Sequence, residues 1–203
     1  MQEFLPGVFT WPWFSERHGY DFNGWLFVHE DGNVVVDPVE ADAETVERLA
    51  VLGVARIVLT NRNHTRMSLR LRERTGARVA IHARDRAHAE AQGAVVDDEL
   101  VVGQRVGPFN VLDASGKSPG EVALHWAERG FLVVGDACVG KPAGECALLP
   151  EAVIDDLPAL KQSLERLATI DFATLLPGDG APIAAGGREA LARLVDRFSA
   201  ARS

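Results

Sequence analysis

Cysteine is scarce in this chain, and its placement excludes one class of metal site. Cys138 and Cys146 are the only cysteines among 203 residues, and they do not form a Cys-x-x-Cys pair. A zinc ribbon needs closely paired Cys or His ligands, so that class is excluded. We expect two reduced thiols, as is usual in the cytoplasm. In the alternative interpretation, Cys138 faces a pocket near Asp136.

Long apolar runs are also missing. No stretch approaches the ~18 apolar residues that suggest a membrane span. The first residues, Met1-Gln2-Glu3-Phe4-Leu5-Pro6, lack the positive charge of a signal peptide. From these two absences we expect a cytoplasmic protein with no membrane partner.

Positive charge is outnumbered by negative charge. The chain has 21 Lys and Arg residues against 29 Asp and Glu residues, for a formal net charge of −8. Because nucleic acids and anionic membranes require a basic surface, we expect neither as a partner. Locally, Arg66, Arg70 and Arg74 would share one face of a helix, and such a face is more often solvated than phosphate-binding.

The remaining composition is that of an ordinary globular protein. Hydrophobic residues make up 47% of the chain and charged residues 25%, and the length allows a sizeable core. We interpret residues 1–203 as a single domain.

Apolar periodicity predicts a mixed α and β protein. The predicted strands are Gly7–Thr10, Gly24–His29, Asn33–Asp37, Arg56–Thr60, Arg78–His82, a strand near Val101, Phe109–Asp113, Val122–Trp126, Phe131–Gly135 and Thr174–Leu176. The predicted helices are Ala43–Leu52, His64–Thr75, Arg84–Gln92, Asp155–Ala168 and Arg188–Ser199. A hairpin turn is predicted at Glu30-Asp31-Gly32-Asn33.

Polar motifs recur beside the predicted strands. In chain order they are Asn23-Gly24-Trp25 with the strand ending at Asp37, Thr60–Ser68, Ser115–Leu124, Gly135-Asp136-Ala137 and Pro177-Gly178-Asp179-Gly180. Each motif alone is weak, because Gly-Asp and Pro-Gly pairs are common in turns. In this order, and over nearly the whole chain, they resemble the motifs of the metallo-β-lactamase superfamily.

The resemblance implies an αββα four-layer sandwich and a hydrolase site whose metal ligands are mostly replaced. Lys117 stands where the family has a ligand His, and Asp179 stands where it has the last His. Asp136 is the one unchanged ligand, and Asp37 is also kept. The His-x-His-x-Asp-His signature of the family falls on Asn61, Asn63, Thr65 and Arg66. Amides bind zinc or iron poorly and a guanidinium repels them.

Charge balance predicts what replaces the metal. A buried carboxylate without a partner is costly. Lys117 and Arg66 supply two positive charges, and Asp136 and Asp179 supply two negative ones. We therefore expect an ion-pair cluster without a cofactor, with the Lys117 nitrogen within hydrogen-bond reach of Asp136 or Asp179.

The candidate pocket residues follow from these motifs. They are Asp37, Asn61, Asn63, His64, Thr65, Arg66, Lys117, Asp136 and Asp179. His64 is one position off the ligand register, and we expect it to be hydrogen-bonded or solvent-facing. The alternative is one divalent zinc or iron ion bound by His64, Asp136 and Asp179.

Aromatic residues form a second candidate surface. Trp11, Trp13 and Phe14 lie near the first predicted strand, and their rings could cover the pocket and select an apolar ligand. Core packing or a homodimer contact is the slightly favoured alternative.

Three functions are compatible with the sequence. The first is a catalytically silent family member, a pseudoenzyme that binds a small molecule or a protein partner. The second is a hydrolase of an ester, amide, thioester or phosphoester that uses one unusual metal ion. The third is a metal-free enzyme with Lys117 as base or nucleophile, which the neighbouring carboxylates disfavour because they stabilise the ammonium form.

Overall fold

The fold is built from two β-sheets with helices on their outer faces. A computed structural model describes the backbone of residues 1–200 and the side chains of residues 1–198. The first sheet has the spatial order β1 (Gln2–Leu5), β2 (Val8–Ser15), β3 (Tyr20–Phe27), β4 (Val34–Val36), β5 (Arg56–Val58), β6 (Arg78–His82) and β7 (Asp98–Leu100). Strands β1 to β4 pair antiparallel, and β4 to β7 pair parallel.

The second sheet is smaller and mostly antiparallel. Its spatial order is β12 (Thr174–Pro177), β11 (Phe131–Gly135), β10 (Val122–Trp126), β9 (Phe109–Asp113) and β8 (Arg105–Val106). Only β11 and β12 pair parallel within it. The helices are α1 (Ala43–Leu52), α2 (Ser68–Thr75), α3 (Ala83–Ala91), α4 (Leu157–Ala168) and α5 (Gly187–Ala200), with 3₁₀ turns at Ala127–Arg129 and Glu151–Val153.

Alternation along the strands divides the core into three apolar layers. In β3, Trp25 and Phe27 face the second sheet, whereas Leu26 packs with the residues of α1 and α2. In β11, Val133 belongs to the layer between the sheets, and Leu132 packs with α4 and α5. Successive strand residues point to opposite faces, so a fully apolar strand is buried on both sides. The four-layer αββα order that the family resemblance implied is confirmed.

Local capping explains two helix starts. The Asp42 carboxylate accepts a hydrogen bond from the Thr45 N–H at the start of α1. The Asp156 carboxylate does the same for the Ala159 N–H at the start of α4. Such caps satisfy backbone N–H groups that have no partner within the helix.

The predicted start of one helix was wrong. We expected a helix over His64–Thr75, but α2 begins at Ser68 and the preceding residues form turns. His64 is buried and contacts the carboxylates of Asp37 and Asp136, which follow β4 and β11. The turns before Ser68 place its side chain there. As a result, Arg66 lies before the helix and does not share a helical face with Arg70 and Arg74.

Other strand limits differ by a few residues. Strand β3 begins at Tyr20, before the predicted Gly24, because it pairs with β2 out to Ser15. The short strands β1 and β8 were not predicted. The turn before Val34 does connect an antiparallel pair, since Val34 lies beside Phe27. Within the described residues, every helix falls short of the length and apolarity that crossing a bilayer requires.

Candidate functional site

The candidate site lies where loops at the strand ends meet. Asp37 follows β4, and residues 61–66 follow β5. Asp136 follows β11, and Asp179 follows β12. Carboxyl ends of neighbouring parallel strands meet at one edge of a sheet, which is a common place for ligand sites. Lys117 and Glu121 enter from the loop before β10.

His64 is buried between two carboxylates. Its Nδ1 lies 2.9 Å from the Asp37 Oδ2, and its Nε2 lies 3.0 Å from the Asp136 Oδ1. Asp37 is held in turn by the Thr60 N–H at 2.8 Å and the Thr60 hydroxyl at 2.6 Å. Burial lowers the pKa of His64, but the carboxylates of Asp136 and Asp37 outweigh it and raise the pKa to about 10. Both ring nitrogens face carboxylate oxygens, which favours the imidazolium form with a proton on each nitrogen.

A glycine makes room for this ring. A Cβ on Gly178 would lie 2.8 Å from the Cε1 of His64 and 3.1 Å from the Gly135 carbonyl oxygen. Contacts that short would force a neighbour to move. The Pro177-Gly178-Asp179 motif thus places His64 as well as Asp179.

Lys117 neutralises the same aspartate at its other carboxylate oxygen. Its Nζ lies 2.6 Å from the Asp136 Oδ2 and donates to the Asn63 Oδ1 at 2.9 Å. Burial lowers the pKa of Lys117, but Asp136 and Glu121 raise it above its ordinary value. Burial would raise the pKa of Asp136, but His64 and Lys117 hold it well below its usual range. The expected approach of Lys117 to Asp136 is present, and the result is a buried triad of His64, Asp136 and Lys117.

Glu121 is a site residue that sequence reasoning missed. Its Oε1 accepts hydrogen bonds from the Asn61 side-chain amide at 3.1 Å and from the Asp136 N–H at 2.8 Å. Its Oε2 is buried and has no hydrogen-bond partner among residues 1–198. Burial and the nearby Asp136 raise the pKa of Glu121 to about 8. One feature of the sequence could have indicated Glu121. It is an acidic residue directly before the apolar strand β10, and a carboxyl group buried at such a position needs a polar partner.

Arg66 and Asp179 do not complete the cluster as expected. Among the described residues, Arg66 forms no ion pair, and its guanidinium lies over the Phe22 ring at 4.3 Å from the centroid. Its Nη1 is buried without a partner, as is the Oδ1 of Asp179. Burial and Asp136 raise the pKa of Asp179 to about 7. The expected set of four charges is therefore corrected: the second cation bound to Asp136 is His64 and not Arg66.

Three of these side chains lie close enough together to be considered as ligands of a metal ion. One potential ligand atom each from His64, Asp136 and Asp179 lies within 4.8 Å of the others. However, a metal ligand must be a deprotonated donor, and both nitrogens of His64 face carboxylates as donors. The ammonium of Lys117 occupies the remaining oxygen of Asp136. In this arrangement the donor set does not fit a zinc or iron ion.

The two amides at the signature positions, Asn61 and Asn63, belong to the same hydrogen-bond network. Asn61 and Asn63 hold Glu121 and Lys117, and Asn61 Oδ1 also accepts the Asn63 N–H at 2.8 Å. Thr65 is buried close by. Amide side chains therefore organise charged groups here.

A cavity of about 770 Å³ opens beside the triad. Lys117, Asp136 and Asp179 line it, together with Arg66 and Asn63. The remaining wall is largely apolar or aromatic and includes Tyr20, Phe22, Val139, Leu148, Leu149 and Val153.

The predicted aromatic surface lies elsewhere. Trp11 is buried in the core with 4% exposure, and its indole N–H donates to the Val39 carbonyl at 3.1 Å. Trp13 and Phe14 are exposed on β2, and Trp13 packs against Phe22 with ring centroids 5.6 Å apart. None of the three lines the cavity. A ligand contact through Trp13 or Phe14 stays a prediction.

Both cysteines are buried and free. Cys138 packs in the apolar layer under α4 and α5 and does not line the cavity beside Asp136.

Comparisons with known proteins agree with this architecture. A family profile described as the metallo-beta-lactamase superfamily matches residues 3–198. No curated protein matches the sequence.

Solved structures share the fold at low identity. A metallo-beta-lactamase family protein from Thermus thermophilus superposes with a TM-score of 0.73 at 23% identity, covering 98% of this chain and 81% of that one. The metallo-beta-lactamase FIM-1 from Pseudomonas aeruginosa, solved in a mono-zinc form, gives a TM-score of 0.76 at 18% identity, covering 97% and 94%. A metallo-beta-lactamase from Pontibacter korlensis gives a TM-score of 0.78 at 16% identity, and the match covers 98% of this chain and 97% of that one. With the profile extending over almost all of its length, the chain belongs to the metallo-beta-lactamase superfamily.

Proposed function

We propose that this protein is a metal-independent member of its family, which uses the cavity to bind a ligand and has no metallohydrolase activity. The observation that carries the proposal is the triad of His64, Asp136 and Lys117. Its two cations contact both oxygens of the aspartate that the family uses as a metal ligand. A buried carboxylate neutralised in this way needs no further cation.

Charge favours this proposal over a single-metal site. For an ion to bind, His64 would have to lose a proton despite its raised pKa, and Lys117 would have to leave Asp136. The mono-zinc form of FIM-1 belongs to that protein, whereas the signature positions here carry two amides, a hydroxyl and a guanidinium.

A single-metal hydrolase is the second candidate, supported by the approach of His64, Asp136 and Asp179. The metal-free enzyme with Lys117 as base is weaker. Asp136 and Glu121 raise the pKa of Lys117, so its ammonium form dominates at neutral pH. A cytoplasmic location and a homodimer stay predictions.

Metal analysis and histidine spectroscopy together test the proposal. The protein is purified without chelator and analysed for zinc and iron by mass spectrometry. Ring nitrogens of His64 are observed by ¹⁵N NMR at pH 8 and assigned with a His64→Asn variant. We expect substoichiometric metal and a doubly protonated ring that does not change when zinc or a chelator is added.

A different outcome of the same two measurements would contradict the proposal. Stoichiometric zinc or iron, with His64 ring signals that shift when the metal is removed, would overturn the proposal in favour of the single-metal hydrolase.

A further inference from the structure

The cavity beside the triad has more positive than negative groups. Four cations line it, Arg17, Arg66, Lys117 and Lys141, against two carboxylates, Asp136 and Asp179. The groups behind the wall add His64 as a cation and Asp37 and Glu121 as carboxyls. Five cations therefore face at most four anions, in a chain whose formal net charge is −8. A local surplus of this sign attracts an anion.

Arg66 is the cation best placed to bind that anion. Lys117 is already engaged by Asp136 and Asn63. Arg66 has no ion-pair partner in the part of the chain that the structure describes, and its Nη1 is buried without an acceptor. Stacking on Phe22 holds its guanidinium in one orientation. Because the Arg66 side chain also lines the cavity, a ligand carboxylate in the cavity can approach its guanidinium and would be stabilised there.

The rest of the cavity fits an apolar group. Val139, Leu148, Leu149 and Val153 come from one segment, and Val153 is 51% exposed. Tyr20 and Phe22 add aromatic surface from β3. A volume of about 770 Å³ is within the range of small-molecule sites.

The carboxylates of the cavity select among anions. Asp179 lines the same space, and its Oδ1 is buried without a donor. Repulsion from Asp179, the cavity carboxylate that lies outside the triad, grows with the charge of the ligand, so a dianionic phosphate is disfavoured relative to a monoanion. A carboxylate also matches the planar fork of a guanidinium.

Building on the proposed binding function, we propose that the cavity binds an apolar monocarboxylate, with its carboxylate on Arg66 and its hydrocarbon part against the wall formed by Val139, Leu148, Leu149 and Val153.

Calorimetric titration of the full chain tests this with a matched ligand series. The ligands are octanoate, 1-octanol, octylammonium, octyl phosphate and acetate. We expect octanoate to bind at least about tenfold more tightly than each of the others, because only octanoate combines the single negative charge with the apolar chain.

Variants locate the binding site. Arg66→Gln is expected to weaken octanoate binding about tenfold or more, and Val153→Asn to weaken it by a smaller factor. Arg84→Gln is the matched control, because Arg84 is an exposed arginine outside this cavity. It should leave the affinity unchanged. Urea midpoints of all variants identify any loss of folding.

Several results would overturn the inference. They are equal affinity for octanoate and octylammonium, tighter binding of octyl phosphate, unchanged octanoate affinity in Arg66→Gln with a native urea midpoint, or no octanoate binding by the wild type. None of these results depends on the metal content of the protein. The metal analysis therefore tests the proposed metal independence separately.

Discussion

Replacing Lys117 by methionine removes one of the two cations that neutralise Asp136. The side chain is 6% exposed, and its Nζ lies 2.6 Å from the Asp136 Oδ2. Methionine has a similar length and fills the same space without the charge. The change therefore removes the charge of the pair, and the hydrogen bond from Lys117 to Asn63 is lost with it.

The size of the effect follows from what remains around Asp136. Removing one partner of a buried ion pair costs roughly 3–5 kcal/mol when the other charge is left uncompensated. The Asp136 carboxylate keeps its contact with His64 at 3.0 Å. Because this charge stays partly compensated, we expect a smaller loss than that range, about 2–3 kcal/mol of unfolding free energy. In a chain of this size that corresponds to a melting temperature lower by about 4–12 °C.

Urea unfolding followed by tryptophan fluorescence measures the change. Lys141→Met is the matched control, since Lys141 is an exposed lysine that forms no ion pair with residues 1–198 and lies over the Tyr20 ring. We expect the control to change stability by less than about 0.5 kcal/mol. A double-mutant cycle of Lys117→Met with Asp136→Asn should give a coupling energy above about 1 kcal/mol.

A Lys117→Met protein that is as stable as the wild type, together with a coupling energy near zero, would refute the buried triad. It would mean that Asp136 is neutralised by some other group, such as a bound ion.

Three further predictions concern the same site. Lys117→His removes the ammonium and adds an imidazole, so zinc affinity should rise at least about tenfold over the wild type in a competition titration. Glu121 has its folded-state pKa raised from 4.5 to about 8, so wild-type stability should fall as pH rises through that range. Between pH 5 and pH 8 this group should lower the unfolding free energy by roughly 2–4 kcal/mol. The Glu121→Gln variant should lose less stability over the same range, which urea midpoints measured at each pH would show. Gly178→Ala should cost about 1–3 kcal/mol by displacing His64, and less in a His64→Ala background.

Local patterns in the sequence were sufficient for most of the elements. The helix Leu157–Ala168 places Leu160, Leu164 and Leu167 on one buried face, which the spacing of its leucines predicted. The strand Phe131–Gly135 is buried on both faces, as its unbroken apolar run predicted. Both periods arise from backbone geometry that repeats within a few residues, so they can be recognised in a single sequence.

The site could be predicted only in part. The order of the motifs correctly predicted that Lys117 and Asp136 lie close together. Lys117 precedes β10 and Asp136 follows β11, and these two strands are neighbours in the second sheet. The predicted start of α2 was wrong because His64 contacts Asp37 and Asp136. Asp136 lies 72 positions away along the chain, so a local pattern could not reveal this contact. Glu121 was missed for the same reason, since Asn61, the side chain it binds, lies 60 positions away.

By itself, the sequence determined the layers of this protein and the loss of most family metal ligands. The individual strands and helices follow from local periodicity. The order of the layers follows from the resemblance to the family, and the loss of ligands follows from residue identity at the motif positions. Only the tertiary structure decided which cations neutralise Asp136 and placed Arg66 against the cavity. Burial makes each of these charges depend on atoms within about 4 Å, and those atoms belong to loops that are distant along the chain and meet only in the folded protein.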